Sequence, residues 1–144
     1  MAIEQLDPVQ AYAVLEKTAG AVYLDVRTEE EFSRGHPVRA LNVPVIFIKG
    51  PDQRELNPDF VMIIEKTLDK NQTLVVGCAA GVRSQRACEL LEQAGYQRLV
   101  NVQGGFAGAR DPNGELVVKG WRDAGLPVVT DGVTYGDVRL KAGY

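Results

Sequence analysis

Thr73-Leu-Val-Val-Gly-Cys78-Ala-Ala-Gly-Val-Arg83-Ser84 is the stretch around which the rest of the chain is arranged. An apolar run ends at Gly77, a cysteine follows, and small residues lead through Arg83 and Ser84 into a helical pattern. That order reads as strand, tight loop, helix, with a thiol at the mouth of the loop. Ala79, Ala80 and Gly81 impose almost no steric limit, and Gly81 tolerates positive φ. The backbone can therefore curl and turn the amides of Ala79, Ala80, Gly81, Val82, Arg83 and Ser84 inward. A ring of N–H groups at a helix N-terminus is an anion site, and the helix dipole adds to it. The same field favours a thiolate, so Cys78 is expected to be nucleophilic at neutral pH. A cysteine at a strand end is more often a packing residue, but a packing residue has no use for an amide-rich loop after it.

Working outward, the chain alternates helical and buried-strand patterns, the mark of a parallel α/β sheet. Ile3 to Leu6 is a short first strand. Asp7-Pro8 then gives an N-cap and a first-turn proline, followed by apolar Val9, Tyr12, Ala13 and Leu15, with Gly20 as the stop. Ala21 to Val26 is a near-continuous apolar run, as for a strand covered on both faces. Thr28 and Glu31 have capping-box spacing, which predicts a short helix through Arg34 with Gly35 as breaker. Leu41 to Val45 reads as a strand, and Ile48 to Asn57 as a loop lying over the site.

Phe60, Val61, Ile64 and Leu68 form an apolar stripe of helical period. Ala87, Leu90, Leu91 and Ala94 do the same over Arg83 to Ala94, with Gly95 as the stop. Gln97 to Val102 is the next strand, followed by a turn at Gly104-Gly105. Ala109 to Gly120, with Asp111-Pro-Asn-Gly114, looks like a hairpin-type insertion on a polar turn. Residues 1–130 are expected to form one domain, and residues 131–144 an extended surface tail without helical period.

Bulk properties narrow the function. The 144 residues are enough for one domain with a real core. With 45% hydrophobic and 24% charged residues the composition is that of an ordinary soluble globule. A net charge of −3 argues against a nucleic-acid partner. No stretch is long and apolar enough to span a bilayer, and Met1 to Asp7 does not read as a signal peptide. Two cysteines without metal-type spacing suggest a reducing, cytoplasmic setting. A single histidine excludes a multi-histidine metal site, so neither metal nor cofactor is expected.

Arg83 leaves the loop that encircles Cys78, so an electrostatic role toward an anion is favoured over surface pairing. Ser84 reads as the first polar residue of the helix. Asp25 and Arg27 sit at the end of a buried strand, where a carboxylate must be paired, and Arg27 is within reach of Glu31 across the turn. His36, before Pro37, reads as a packed turn residue. Cys88 shares a face with Leu91 and reads as core. Trp121 is expected to pack a C-terminal helix onto the sheet.

Cys78-Ala-Ala-Gly-Val-Arg83-Ser84 resembles the active-site loop of the rhodanese family of sulfurtransferases. Leu24-Asp-Val-Arg27, Glu31-Phe32, Gly35-His36 and Asn42-Val-Pro44 resemble that family's upstream signature. Gly104-Gly105-Phe106, Trp121 and Gly125-Leu-Pro127 look like its C-terminal one. Two departures stand in scaffold regions: Pro37-Val38-Arg39-Ala40 follows the histidine, and Ala109 stands where a tryptophan is expected. The resemblance implies a three-layer fold, with a central, mostly parallel sheet flanked by helices on both faces.

It also implies that Asp25 and Arg27 support the site rather than perform chemistry. The expected reaction is transfer of sulfane sulfur from a donor such as thiosulfate, through a Cys78 persulfide, to a thiophilic acceptor (cyanide, a small thiol or a protein thiol). The alternatives are a persulfide carrier or regulatory module serving a partner protein, and a phosphatase or arsenate-reductase-like enzyme. The last is disfavoured because Ala79 to Val82 is one residue shorter than the loop such enzymes use.

Overall fold

The computed structural model describes residues 3–144. In chain order the elements are β1 (Glu4–Leu6), α1 (Pro8–Lys17), β2 (Val22–Asp25), α2 (Glu29–Ser33), β3 (His36–Pro37), β4 (Ala40–Asn42), β5 (Ile46–Gly50), β6 (Gln53–Leu56), α3 (Phe60–Thr67) and β7 (Thr73–Gly77). They continue with α4 (Val82–Gln93), β8 (Arg98–Val102), β9 (Ala109–Arg110), β10 (Leu116–Val118), β11 (Val128–Val129) and α5 (Tyr135–Ala142). The main sheet has the order β1-β8-β7-β2-β4, and every pair in it is parallel. The α/β class with a parallel sheet is therefore as expected, and β7, the strand that leads into Cys78, is its middle member.

Side chains on a strand alternate between faces, and the sheet divides its core accordingly. Leu24, Leu74, Val76 and Leu99 join one apolar cluster with α3, α4 and α5. Tyr23, Val75, Val100 and Val102 join a second with Ala11 and Leu15 of α1, Phe32 of α2, and Trp121. Both faces are covered, which is why the strands read as continuous apolar runs.

The capping signals act as written. Asp7 accepts from the Gln10 amide and Gln10 returns the bond, with Pro8 in the first turn. The buried face of α1 is Pro8, Ala11 and Leu15, whereas Val9 faces outward. Thr28 and Glu31 form the second capping box. The strand expected at Leu41 to Val45 begins one residue earlier and ends at Asn42.

Three expectations are corrected. Ile48 to Asn57 is not a loop: β5 and β6 pair antiparallel, because Gly50-Pro51-Asp52 supplies a turn between two runs able to pair. The segment 131–144 is not an extended tail: Thr134 caps α5 by accepting from the Asp137 amide, and Tyr135, Val138 and Ala142 are buried at helical spacing. Trp121 packs α1, not the C-terminal helix. Its ring meets Tyr12 and Tyr23 edge-on at 5.6 and 5.3 Å, and α5 lies across the other face of the sheet.

Candidate active site

The site forms where β7 and β2 end side by side, with Asp25 paired to Gly77. Gly77 is required there for space: a Cβ on it would stand 1.8 Å from the Tyr23 hydroxyl oxygen. Cys78 follows, and Gly81, at φ 113°, turns the chain into α4. A left-handed residue at that point lets the loop bend back over the cysteine.

Cys78 Sγ lies inside this bend. The Gly81 amide donates to it at 3.1 Å, and the Ser84 hydroxyl is 3.4 Å away. Ser84 Oγ also lies 2.6 Å from Asn101 Oδ1, to which it donates. Asn101 is the polar residue on the buried part of β8, and it ties β8 to the loop. The first amides of α4 have no carbonyl one turn back to bond; the first helical bond into the loop is Gln85 N–H to the Gly81 carbonyl, 3.2 Å.

Two expectations are sharpened by this geometry. Among the described contacts a single loop amide, that of Gly81, reaches the sulfur, rather than a full ring. The thiol is also not at an open mouth, since Cys78 is 2% exposed. The cause is a second loop: Phe106 N–H donates to the Cys78 carbonyl and Ala107 N–H to the Ala79 carbonyl, both at 2.8 Å. Ala79, Gly81 and Arg83 remain partly exposed and Ala80 and Val82 exposed, so the loop itself faces solvent.

Charges around the loop are paired. Arg83 forms a two-pronged bond to Glu31, 2.8 and 3.0 Å. Arg27 pairs with Asp25 (2.8 Å) and also donates to the Gly35 carbonyl (2.8 Å). The expected Arg27–Glu31 pair is therefore replaced by Arg83–Glu31, and Asp25 and Arg27 form a buried brace. Burial works against ionising Glu31, yet the bonds from Arg83 and from the Thr28 amide and hydroxyl prevail and bring its carboxyl down to about 2.

His36 is structural. Its Nδ1 donates to the Phe32 carbonyl at 2.7 Å, and Nε2 accepts from the Gly132 amide at 2.8 Å. The ring also stacks on Phe32, 3.6 Å between centroids. Cys88 is buried, and burial pushes its thiol up to about 12, while both cysteines are free. Among the described residues no cluster of His, Cys, Asp or Glu is arranged to hold a metal ion, and no helix is long and apolar enough to cross a membrane.

Residues 7–111 match the family model described as a rhodanese-like domain. The chain is 40% identical over 105 residues to Protein HIGH ARSENIC CONTENT 1, mitochondrial, from Arabidopsis thaliana. That match covers 73% of the chain and 60% of the relative, and a chloroplastic rhodanese-like protein of the same plant is covered over only 48% of its length. The chain thus spans about half to three fifths of these longer proteins. Thiosulfate sulfurtransferase 18 from Arabidopsis thaliana is 32% identical over 131 residues, 90% of this chain and 85% of the relative. Among solved structures, Rv0390 from M. tuberculosis superposes with a TM-score of 0.75 at 28% identity, covering 90% of this chain and 99% of that one. From the family match, these relatives and the shared architecture, the chain belongs to the rhodanese-like domain family.

Proposed function

We propose that the protein transfers sulfane sulfur from an anionic donor such as thiosulfate to a thiophilic acceptor by way of a persulfide on Cys78. The observation that carries this reading is the Gly81 amide 3.1 Å from Cys78 Sγ, at the start of α4. A thiolate and the sulfur bound to it both gain from such a donor and from the helix N-terminus. The relatives named thiosulfate sulfurtransferase support the same chemistry.

In the first step the Cys78 thiolate attacks the outer sulfur of thiosulfate. A new S–S bond forms, the donor's S–S bond breaks, and sulfite leaves with the electron pair. The enzyme then holds the negative charge on the outer persulfide sulfur. That sulfur stands ~2 Å beyond Sγ, which brings the reactive atom from the enclosed floor toward the solvent-facing loop. In the second step cyanide or a thiolate attacks that sulfur, the persulfide bond breaks, and the Cys78 thiolate is restored. A small thiol or a protein thiol serves as acceptor on the same terms, and two half-reactions give ping-pong kinetics. Cys88 takes no part, since its buried thiol stays protonated near neutral pH.

The test is to incubate the protein with thiosulfate and weigh it intact. The wild type is expected to gain one sulfur atom and to lose it on adding cyanide, while Cys78→Ser gains none. A wild type that gains nothing, or a variant that gains the same, overturns the reading. A stable adduct with slow turnover on small acceptors identifies a carrier that hands its sulfur to a protein partner.

A further inference from the structure

Four guanidinium groups gather on the side of the site where Ala79, Phe106 and Ala107 wall a cavity of about 270 Å³. Three of them, Arg27, Arg34 and Arg122, line it, and Arg83 adjoins it through Glu31, which also lines it. Two of the four sit in shielded ion pairs, Arg27 with Asp25 and Arg83 with Glu31 in two-pronged geometry. A guanidinium so matched contributes little net field to an incoming anion. Arg34 pairs with Glu30 one turn away, but both side chains are exposed.

Arg122 is matched as loosely as Arg34: it meets the carboxylate of the next residue, Asp123, at 3.5 Å, and both side chains are more than half exposed. Pairs of this kind are worth little in water. Its main chain is nevertheless held firmly. Trp121 is fully buried, its amide donates to the Gly105 carbonyl at 2.8 Å, and its indole N–H donates to the Pro127 carbonyl at 2.8 Å. The Arg122 amide donates to the Phe106 carbonyl, and its guanidinium carbon lies 5.7 Å from the centre of the Phe106 ring. Phe106 in turn holds the carbonyl of Cys78. A rigid base thus carries one long, weakly matched cation to the wall of the cavity that the cysteine loop also lines.

We infer that Arg122 is the charge-selecting residue of the donor site, binding the sulfonate end of a doubly charged sulfur donor beside the Cys78 loop. The identity of the ligand rests on the sulfurtransferase reading above; the existence of the anion site rests on the arrangement of charges. Arg83 keeps a different task, since its bond to Glu31 fixes the start of α4 over the sulfur. A guanidinium suits the sulfonate because two N–H groups can meet two of its oxygens.

The experiment measures thiosulfate binding by titration calorimetry in the full chain carrying Cys78→Ala, so that no sulfur moves. Adding Arg122→Ala is expected to weaken binding about tenfold, and Arg122→Lys to restore part of it. The loss is expected to be smaller for methanethiosulfonate, which carries one charge fewer. In the chain with Cys78 intact, Arg122→Ala is expected to raise KM for thiosulfate while kcat changes little. Equal affinity with and without the Arg122 side chain, or no measurable binding in the parent, overturns the inference. Weaker anion binding in Arg122→Ala combined with no sulfur gained by the wild type upholds the anion site and overturns sulfur transfer. Sulfur gained normally with unchanged affinity does the reverse.

Discussion

Gly105 has φ of 52°, and a Cβ there would stand 2.4 Å from the Cys78 carbonyl oxygen and 2.8 Å from the carbonyl atoms of Ala79. Those neighbours are backbone and cannot swing aside. Gly105→Ala is therefore expected to displace the cysteine loop, costing about 1–3 kcal/mol of stability and most of the sulfur uptake. Urea titration and intact mass after thiosulfate check the two effects. From the sequence, Gly104-Gly105 was legible as a turn, and Cys78, Gly81 and Ser84 as loop residues. Their dependence on Phe106 was not, because the hydrogen bonds from Phe106 and Ala107 join segments far apart in the chain. The partner of Glu31 was hidden for a related reason. Spacing of four argues for a pair only within one helix, and Arg27 precedes the cap of α2, so its guanidinium turned to Asp25 instead.

At the scale of elements, α5 shows what a pattern can conceal. Tyr135, Val138 and Ala142 face the core, but Leu140 is 75% exposed and Gly136 weakens the local preference. The apolar residues therefore do not fall on one side, and no stripe appears. The legible signal was the cap: Thr134 stands three residues before Asp137 and accepts from its amide. Thr134→Ala is expected to lower stability by about 1 kcal/mol, read as a smaller urea midpoint with an unchanged slope. The β5–β6 hairpin was concealed differently, since β6, Gln-Arg-Glu-Leu, is exposed throughout and shows no apolar alternation to mark it as the partner of β5. By contrast, α1, α2 and α4 were legible because their caps and breakers are local chemistry.

For the whole molecule, the Arg83–Glu31 bond joins α4 to α2 across the site, and its strength depends on pH. The Glu31 carboxyl lies at about 2 in the folded chain against an ordinary 4.5. Ionised Glu31 thus adds stability that is complete above pH 4.5 and is lost as pH falls through 2. Glu31→Gln is expected to be less stable than wild type at pH 6, with the difference shrinking steadily toward pH 2, as denaturant titrations at several pH values would show. The alternation of helix and buried strand made the parallel sheet legible, whereas the order β1-β8-β7-β2-β4 depends on contacts between distant segments. One such contact is the Trp121 amide on the Gly105 carbonyl, which closes the neck of the β9–β10 hairpin. Because the chain is pinned there, the tip at Pro112 and Asn113 is mechanically insulated from the cysteine loop, and a fluorophore or a linker to a solid support could be grafted onto it while the loop keeps its shape.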